Sequence, residues 1–300
     1  MTDLDAGLLR TAYDSQLRAR PPEPVPPGVT VDRDGPLLRI QGLDRGGFLT
    51  YRDLAGLTGT ALDELIVRQR DHFAGLGQQV EWKLHGHDEP ADLPDRLVAA
   101  GFAPEERETV VIGPVASLAA TLPAPPEGVR LREVTDRADL DRIAELKVRV
   151  WNNRGNGGGD GSDDGGGDGG DGGDGGDGGD GGDGSWLADG LERELAAGAA
   201  VDQPPLTIVV AETDDELVSA GWVRFVPGTR FATLWGGSTL PHWRRRGIYR
   251  ALLAYRARLA EARGFSLLQV DASEQSRPIL QRLGFVAVTT TTPYVYTPKP

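Results

Sequence analysis

No cysteine occurs among the 300 residues, and methionine occurs once. Disulfides, a thiolate nucleophile and a cysteine-based zinc site are thereby excluded, and a thiol-free chain fits a reducing compartment. Aromatic residues are sparse at 6%. No run approaches the roughly 18–20 apolar residues that a membrane span needs. The start, Met1-Thr-Asp-Leu-Asp5, carries acids where a secretory leader carries bases. The expectation is a soluble, cytoplasmic protein with no membrane partner. Excess positive charge is missing as well, with 45 acids against 32 bases and a net charge of −13. A basic nucleic-acid-binding surface is therefore not expected.

Glycine, by contrast, is plentiful. Of its 42 copies, 19 fall in the tract Gly155 to Gly184, together with nine aspartates and no apolar side chain. Setting those nine aside leaves 36 acids against 32 bases, an ordinary globular balance. The tract cannot bury apolar surface and reads as a disordered, self-repelling insertion. Its aspartate spacing is shared with calcium-binding Gly-rich repeats, but those need an apolar residue in every turn. No metal is expected there.

The remaining length suggests two domains. A proline-rich stretch at 123–128 reads as a linker between an N-terminal domain, 1–122, and a C-terminal domain, 129–300. In the first domain, Leu37 to Ile40 reads as a strand and Ala61 to Leu76 as an amphipathic helix with Thr60 as N-cap. A strand from Val80 to Leu84 and a helix ending at Gly101-Phe102 follow, then a strand from Thr109 to Ile112. In the second, a strand at Val129 to Val134 precedes helices at Asp139 to Trp151 and Trp186 to Ala197. Strands follow at Leu206 to Glu212, Leu217 to Phe225 and Phe231 to Trp235. Then come a helix from Gly247, a buried strand at Leu267 to Val270, a short helix ending at Gly284-Phe285 and one or two final strands over Val286 to Tyr296. Helix, apolar strand, short helix and Gly-Phe thus occur twice, once in each half, which reads either as a structural repeat or as the coincidence of two common units. The fold class is α/β with a mixed sheet.

The chemistry concentrates in one segment. Ser238-Thr-Leu-Pro-His-Trp-Arg-Arg-Arg-Gly-Ile-Tyr-Arg250 joins a strand to a helix through a basic turn. A helix start offers amides without intrahelical partners and the positive end of a dipole, and Gly247 admits a phosphate close to the backbone. Arg244, Arg245 and Arg246 add charge. The segment is thus either a phosphate cradle or a surface basic turn whose glycine serves packing. Gly236-Gly237 reads as a bulge that opens a slot beside the strand.

Arg244-x-x-Gly247, opening a helix after a strand, resembles the acetyl-CoA pyrophosphate loop of the GNAT N-acetyltransferase superfamily. The order of elements from Val129 to Tyr296 is similar to that family's. Ala61 to Phe102 resembles its C-terminal half, so the N-terminal domain reads as a degenerate GNAT-like copy. Its loop, Leu57 to Thr60, lacks arginines, and no cofactor is expected there. The resemblance implies acetyl-CoA as co-substrate, held by Ser238, Thr239, Leu240, Arg244, Arg245, Arg246, Gly247, Ile248, Tyr249, Arg250 and Ser273. It implies transfer to a primary amine of a small molecule or peptide, by direct attack, with a strand amide near Leu240 or slightly before it polarising the carbonyl. Two positions depart from the pattern. Tyr249 stands where glycine or alanine is usual, crowding the cradle, and Leu280 stands where a tyrosine usually supplies the acid. Asp271 is a candidate base from the strand end, beside Glu274, and Tyr294 and Tyr296 are candidates to replace the acid. Each also reads as a plain strand or core residue. The competing function is a non-catalytic acyl-CoA-binding or interaction module.

Weaker signals remain. His85-Gly-His87 has metal-compatible spacing but reads first as an exposed turn. His242 either contacts phosphate or faces solvent. Trp151 and Trp186 either wall an acceptor pocket or pack in the core.

Overall fold

The computed structural model describes residues 5–43, 46–121, 123–155 and 184–299. All of the Gly/Asp tract but its two end residues lies outside them. The elements run α1 (Ala6–Gln16), β1 (Thr30–Asp34), β2 (Leu37–Leu43), β3 (Gly46–Thr50), α2 (Gly59–Gly75), β4 (Val80–His85), α3 (Leu93–Ala99), β5 (Ala103–Pro104), β6 (Glu108–Pro114) and α4 (Val115–Thr121). They continue with β7 (Arg130–Val134), α5 (Arg137–Gly155), α6 (Ser185–Gly198), β8 (Leu206–Glu212), β9 (Leu217–Phe225) and β10 (Phe231–Thr239). A 3-10 turn (Pro241–Trp243), α7 (Ile248–Ala262), β11 (Leu267–Ala272), α8 (Arg277–Arg282) and β12 (Val286–Tyr296) complete the chain. Among the described residues no helix is long and apolar enough to cross a membrane.

Two compact units result. The first takes the chain to Glu108 and recovers Thr289 onward; the second takes Thr109 to Val288. Residues 123–128 form no helix or strand, and β6 and α4, which precede them, belong to the second unit.

In the first unit the strand order is β1-β2-β3-β4-β12, with β5 on β12. Phe73, Leu62, Ile66, Trp82, Leu97 and Phe102 form its core. The helix α2 starts after Thr58 rather than Thr60. The strand β3, Gly-Gly-Phe-Leu-Thr, has too little apolar alternation to read from sequence. Its Gly47 has a packing reason, since a Cβ there would overlap the Phe73 ring.

The second unit has the order β6-β11-β10-β9-β8-β7. Its sheet is covered on one face by α7, α8 and α4 through Leu253, Ala257, Val270, Leu280 and Leu118. The other face is covered by α5 and α6 through Ile143, Leu146, Leu187 and Leu191 against Ile208 and Trp222. Each unit draws a strand from the other half of the chain: in the second, β11 pairs antiparallel with β6, Leu267↔Pro114 to Ala272↔Thr109. The chain's last strand pairs with β4, Thr291↔His85 to Tyr296↔Val80.

The repeat is visible in detail. Helix α3 ends with Gly101 at φ +96° and α8 with Gly284 at φ +93°. In each, the following phenylalanine amide bonds back five residues, Phe102 to Leu97 and Phe285 to Leu280, both at 3.0 Å. This is a Schellman stop in both copies. The parallel pairs also match: β3 meets β4 only from Gly47↔Val80 to Leu49↔Trp82, and β10 meets β11 only from Phe231↔Leu267 to Thr233↔Gln269. In both, the second strand runs on while its partner parts from it.

What fills the parting differs. In the first unit Arg18, 7% exposed, sends Nε to Tyr51 O at 3.2 Å and Nη2 to Asp88 Oδ1 at 2.7 Å. Tyr51 Oη donates to Asp88 at 2.6 Å, and Tyr13 Oη meets His85 Nε2 at 3.0 Å. Burial raises the Asp88 pKa, but the His85 contact and the Arg18 charge overcome it and hold the carboxyl at about 2. The His85-Gly-His87 motif is therefore not an exposed turn. His85 is 2% exposed, and His87 is half-buried between Asp14 and Thr289 Oγ1.

Candidate functional site

In the second unit the same parting is flanked by the segment that carries the chemistry. Strand β10 pairs with β9 as Trp235↔Trp222 and then as Ser238↔Ala220, so Gly236 and Gly237 face one residue of β9. This is the bulge that the two glycines suggested. Gly236 sits at φ +68°, and a Cβ there would overlap the Trp222 ring.

Beyond the bulge, Leu240 N donates to Val218 O at 3.0 Å. The Leu240 amide is therefore spent, which leaves the residue just before it, Thr239, as the strand amide that the expectation also covered. Alternation in an antiparallel pair then turns the Thr239 amide the other way, toward the side where β11 has parted. The Thr239 carbonyl accepts from Arg244 Nε at 3.2 Å, which ties the loop to the strand end. Ser238 and Thr239 are buried, each 3% exposed; Ser219 Oγ donates to the Ser238 carbonyl at 2.7 Å and meets Thr239 Oγ1 at 2.9 Å. The Thr239 hydroxyl is thus engaged inside the sheet.

The loop itself has φ +60° at Arg245 and +84° at Gly247. Left-handed residues flanking Arg246 turn neighbouring amides toward a common point, an anion nest at a helix start. The first α-helical bond is Ala251 N to Gly247 O, 3.0 Å, so the amides before Ala251 have no intrahelical acceptor. A Cβ on Gly247 would meet nothing within 4 Å. The space over the nest is open. Arg245, Arg246 and Arg250 are exposed, and Arg246 lies over the Trp243 ring, 4.6 Å from its centroid. Ile248 and Tyr249 are buried, at 0% and 3% exposure. The Tyr249 ring packs in the core with Leu253 and does not crowd the cradle.

Asp271 lies on β11 past its last β10 partner, Gln269. It is 6% exposed and accepts from Gln269 Nε2 at 2.7 Å. Gln269 aligns with Thr233, whose hydroxyl takes the Trp235 indole N–H at 2.7 Å. Trp235 packs with the α5 and α6 cluster, so period-2 alternation puts Asp271 on that face. Glu274 is exposed and paired with Arg277 at 3.0 Å. Ser273 Oγ accepts from Ser276 N at 3.3 Å and serves the first turn of α8. Leu280 is fully buried.

Tyr294 and Tyr296 belong to the first unit. Tyr294 is 8% exposed and opposite Trp82; Tyr296 packs on Phe102, with 5.7 Å between centroids. Burial, and then Asp95, raises the Tyr294 pKa. Both are aromatic strand packing and are left out of the acid role. His242 is exposed and bonds Glu216 at 2.9 Å. Trp186 packs on the α5/α6 core, and Trp151 is 42% exposed.

Residues 183–285 match the family model described as "Acetyltransferase (GNAT) family". The second unit contains a GNAT-family domain. Solved structures extend the likeness to the rest of the chain. A GCN5-related N-acetyltransferase from Kribbella flavida is 16% identical at a TM-score of 0.57, covering 98% of this chain and 96% of its own. A tandem GNAT protein from the clavulanic acid biosynthesis pathway is 14% identical at a TM-score of 0.60, covering 98% and 94%. A conserved protein from Staphylococcus epidermidis is 12% identical at 0.57, covering 92% and 97%. At these identities the likeness is one of fold, and the fold is GNAT-like with a tandem relative. No curated protein sequence matches the chain.

Sequence reasoning missed Arg256. It stands four residues after Leu252 and eight after Ile248, on the apolar stripe of α7. A charged residue at an apolar stripe position is the signal that was there to read.

Proposed function

We propose that the second unit is an acetyl-CoA-dependent N-acetyltransferase acting on a primary amine of a small molecule or peptide. One observation carries the reading: the gap between β10 and β11 receives the Thr239 amide and opens beside the nest at Arg245 to Gly247. A long thioester with a diphosphate needs that combination. The amides from Gly247 to Arg250 and the exposed arginines would hold the diphosphate. The thioester carbonyl would receive the Thr239 N–H, whose dipole favours the charge that develops on oxygen.

A neutral amine attacks that carbonyl; the C–N bond forms, the C–S bond breaks and CoA departs. Asp271, on the face under α5 and α6, takes the amine proton. Leu280 supplies no acid, so the sulfur leaves as thiolate and takes its proton from solvent. That absence supports a second reading, in which the unit binds acyl-CoA without turnover.

The test is a thiol-release assay with acetyl-CoA and a panel of primary amines. With zero cysteines in the chain, every thiol detected is CoA. Amine-dependent release that falls at least about tenfold in Asp271→Asn supports transfer with Asp271 as base. Acetyl-CoA binding with no release from any amine favours the binding module.

A further inference from the structure

Arg256 is 2% exposed, and its hydrogen bonds run to main-chain carbonyls. Nε donates to Leu252 O at 3.2 Å, and Nη1 donates to Trp222 O at 3.3 Å and Trp235 O at 3.2 Å. Burial lowers its pKa to about 10, opposed by neighbouring Tyr249. A buried guanidinium that bonds carbonyls rather than a carboxylate is costly. A leucine would suit the stripe better, so the charge calls for a reason beyond packing.

The two carbonyls identify it. Trp222 and Trp235 are the last aligned pair before the bulge. Phe231 O accepts from Val226 N, so the bonded pairs on this side of the bulge are Phe231, Thr233 and Trp235 by alternation. Continued without a bulge, that phase would make Thr239 a bonded residue, its amide pointing at β9. The observed bond is Leu240 N to Val218 O. The bulge therefore shifts the phase by one residue and turns the Thr239 amide into the gap. Gly221, opposite the bulge, has a matching role. A Cβ on it would lie 2.8 Å from Arg256 Nη1.

We propose that Arg256 is a positioning residue: its guanidinium clamps the Trp222 and Trp235 carbonyls, holds the bulge of β10 and so aims the Thr239 amide into the gap. Arg256 touches no reacting atom in this scheme and acts through the strand. The consequence for catalysis rests on the function proposed above, whereas the strand geometry does not.

The experiment compares wild type with Arg256→Met, which keeps bulk without donors, and Gly221→Ala, which keeps the charge but displaces Nη1. Residue-resolved amide exchange is measured on the full chain. In wild type the Leu240 amide is protected and the Thr239 amide exchanges fast. In both variants Thr239 gains and Leu240 loses protection, each by about tenfold or more. Turnover falls by about tenfold while acetyl-CoA affinity changes less than about threefold, because the nest is intact. Arg256→Lys, with one donor group left, restores part of the pattern. If Arg256→Met does not fold, Gly221→Ala carries the same comparison. Unchanged exchange at Thr239 and Leu240 in a folded variant overturns the proposal. So does a parallel loss of turnover and affinity. A wild type that releases no CoA with any amine counts against the proposed activity alone, and amide exchange still decides the role of Arg256.

Discussion

A side chain at Gly247 would meet no atom within 4 Å but would have to hold a φ of +84°, a strain of about 1–2 kcal/mol. Gly247→Glu should therefore fold, yet bring a carboxylate to the amides that face the diphosphate. Acetyl-CoA affinity should fall by about 100-fold or more, some 3 kcal/mol, read by calorimetry. Arg245→Ala removes one charged contact and leaves the amides, so about tenfold is expected. At Glu212 the argument concerns stability. Its carboxylate, 4% exposed, accepts from Arg132 Nε at 2.8 Å and Arg130 Nε at 3.0 Å. Hydrogen bonds from Arg132, opposed by burial and helped by Arg130, lower its pKa from 4.5 to about 2. A depressed folded-state pKa means that this stabilisation is complete above about pH 4.5 and is lost as pH falls toward 2. Glu212→Gln should cost about 1.5–3 kcal/mol at pH 7, and urea titrations at pH 7, 5 and 3 should show the gap to wild type closing. In the first unit, Arg18→Ala strands the Asp88 carboxylate, whose side chain is 4% exposed. That should cost about 3–5 kcal/mol by the same measurement.

At the scale of elements, α5 and α6 pack directly against each other. Leu140, Ile143, Leu187 and Leu191 share one core, and Arg137 reaches from α5 to Asp189 and Glu192 of α6 at 2.6 and 2.9 Å. Replacing residues 157–182 by a few Gly/Ser residues should change loop-closure entropy by only about 1–2 kcal/mol. The melting temperature should move by no more than about 4 °C and acetyl-CoA binding should persist. A deletion that fails to melt cooperatively would show that the tract is structural. Element identity was mostly legible where a period ran long enough, as in α2, α5, α7 and β8. It was not in β3, where two glycines break the alternation: a Cβ on Gly46, at φ +106°, would overlap the Gln79 carbonyl, and one on Gly47 would overlap the Phe73 ring. The site's loop was legible for the opposite reason, since nest, helix start and arginines are consecutive in the chain.

At the scale of the molecule, the strand that each unit draws from the other half of the chain makes a prediction about fragments. Residues 109–288 include β6 and α4, whose Val111, Val115 and Leu118 complete the second core. That fragment should be soluble, melt cooperatively and bind acetyl-CoA. A fragment starting at residue 129, where the proline-rich segment suggests a boundary, leaves β11 without its β6 partner and should aggregate; chromatography and melting distinguish the two. Element types, the repeated Gly-Phe stops and the basic glycine turn before a helix were legible along the chain, because each depends on residues within a few positions of one another, and the lack of cysteine excluded thiol chemistry outright. Folding was needed to reveal that β12 joins β4, that Arg18 bridges Tyr51 and Asp88, and that Arg256 bonds the Trp222 and Trp235 carbonyls. Those depend on partners 21 to 200 or more positions apart, and such pairings are selected by core complementarity and buried hydrogen bonds, which leave no periodic trace along the chain.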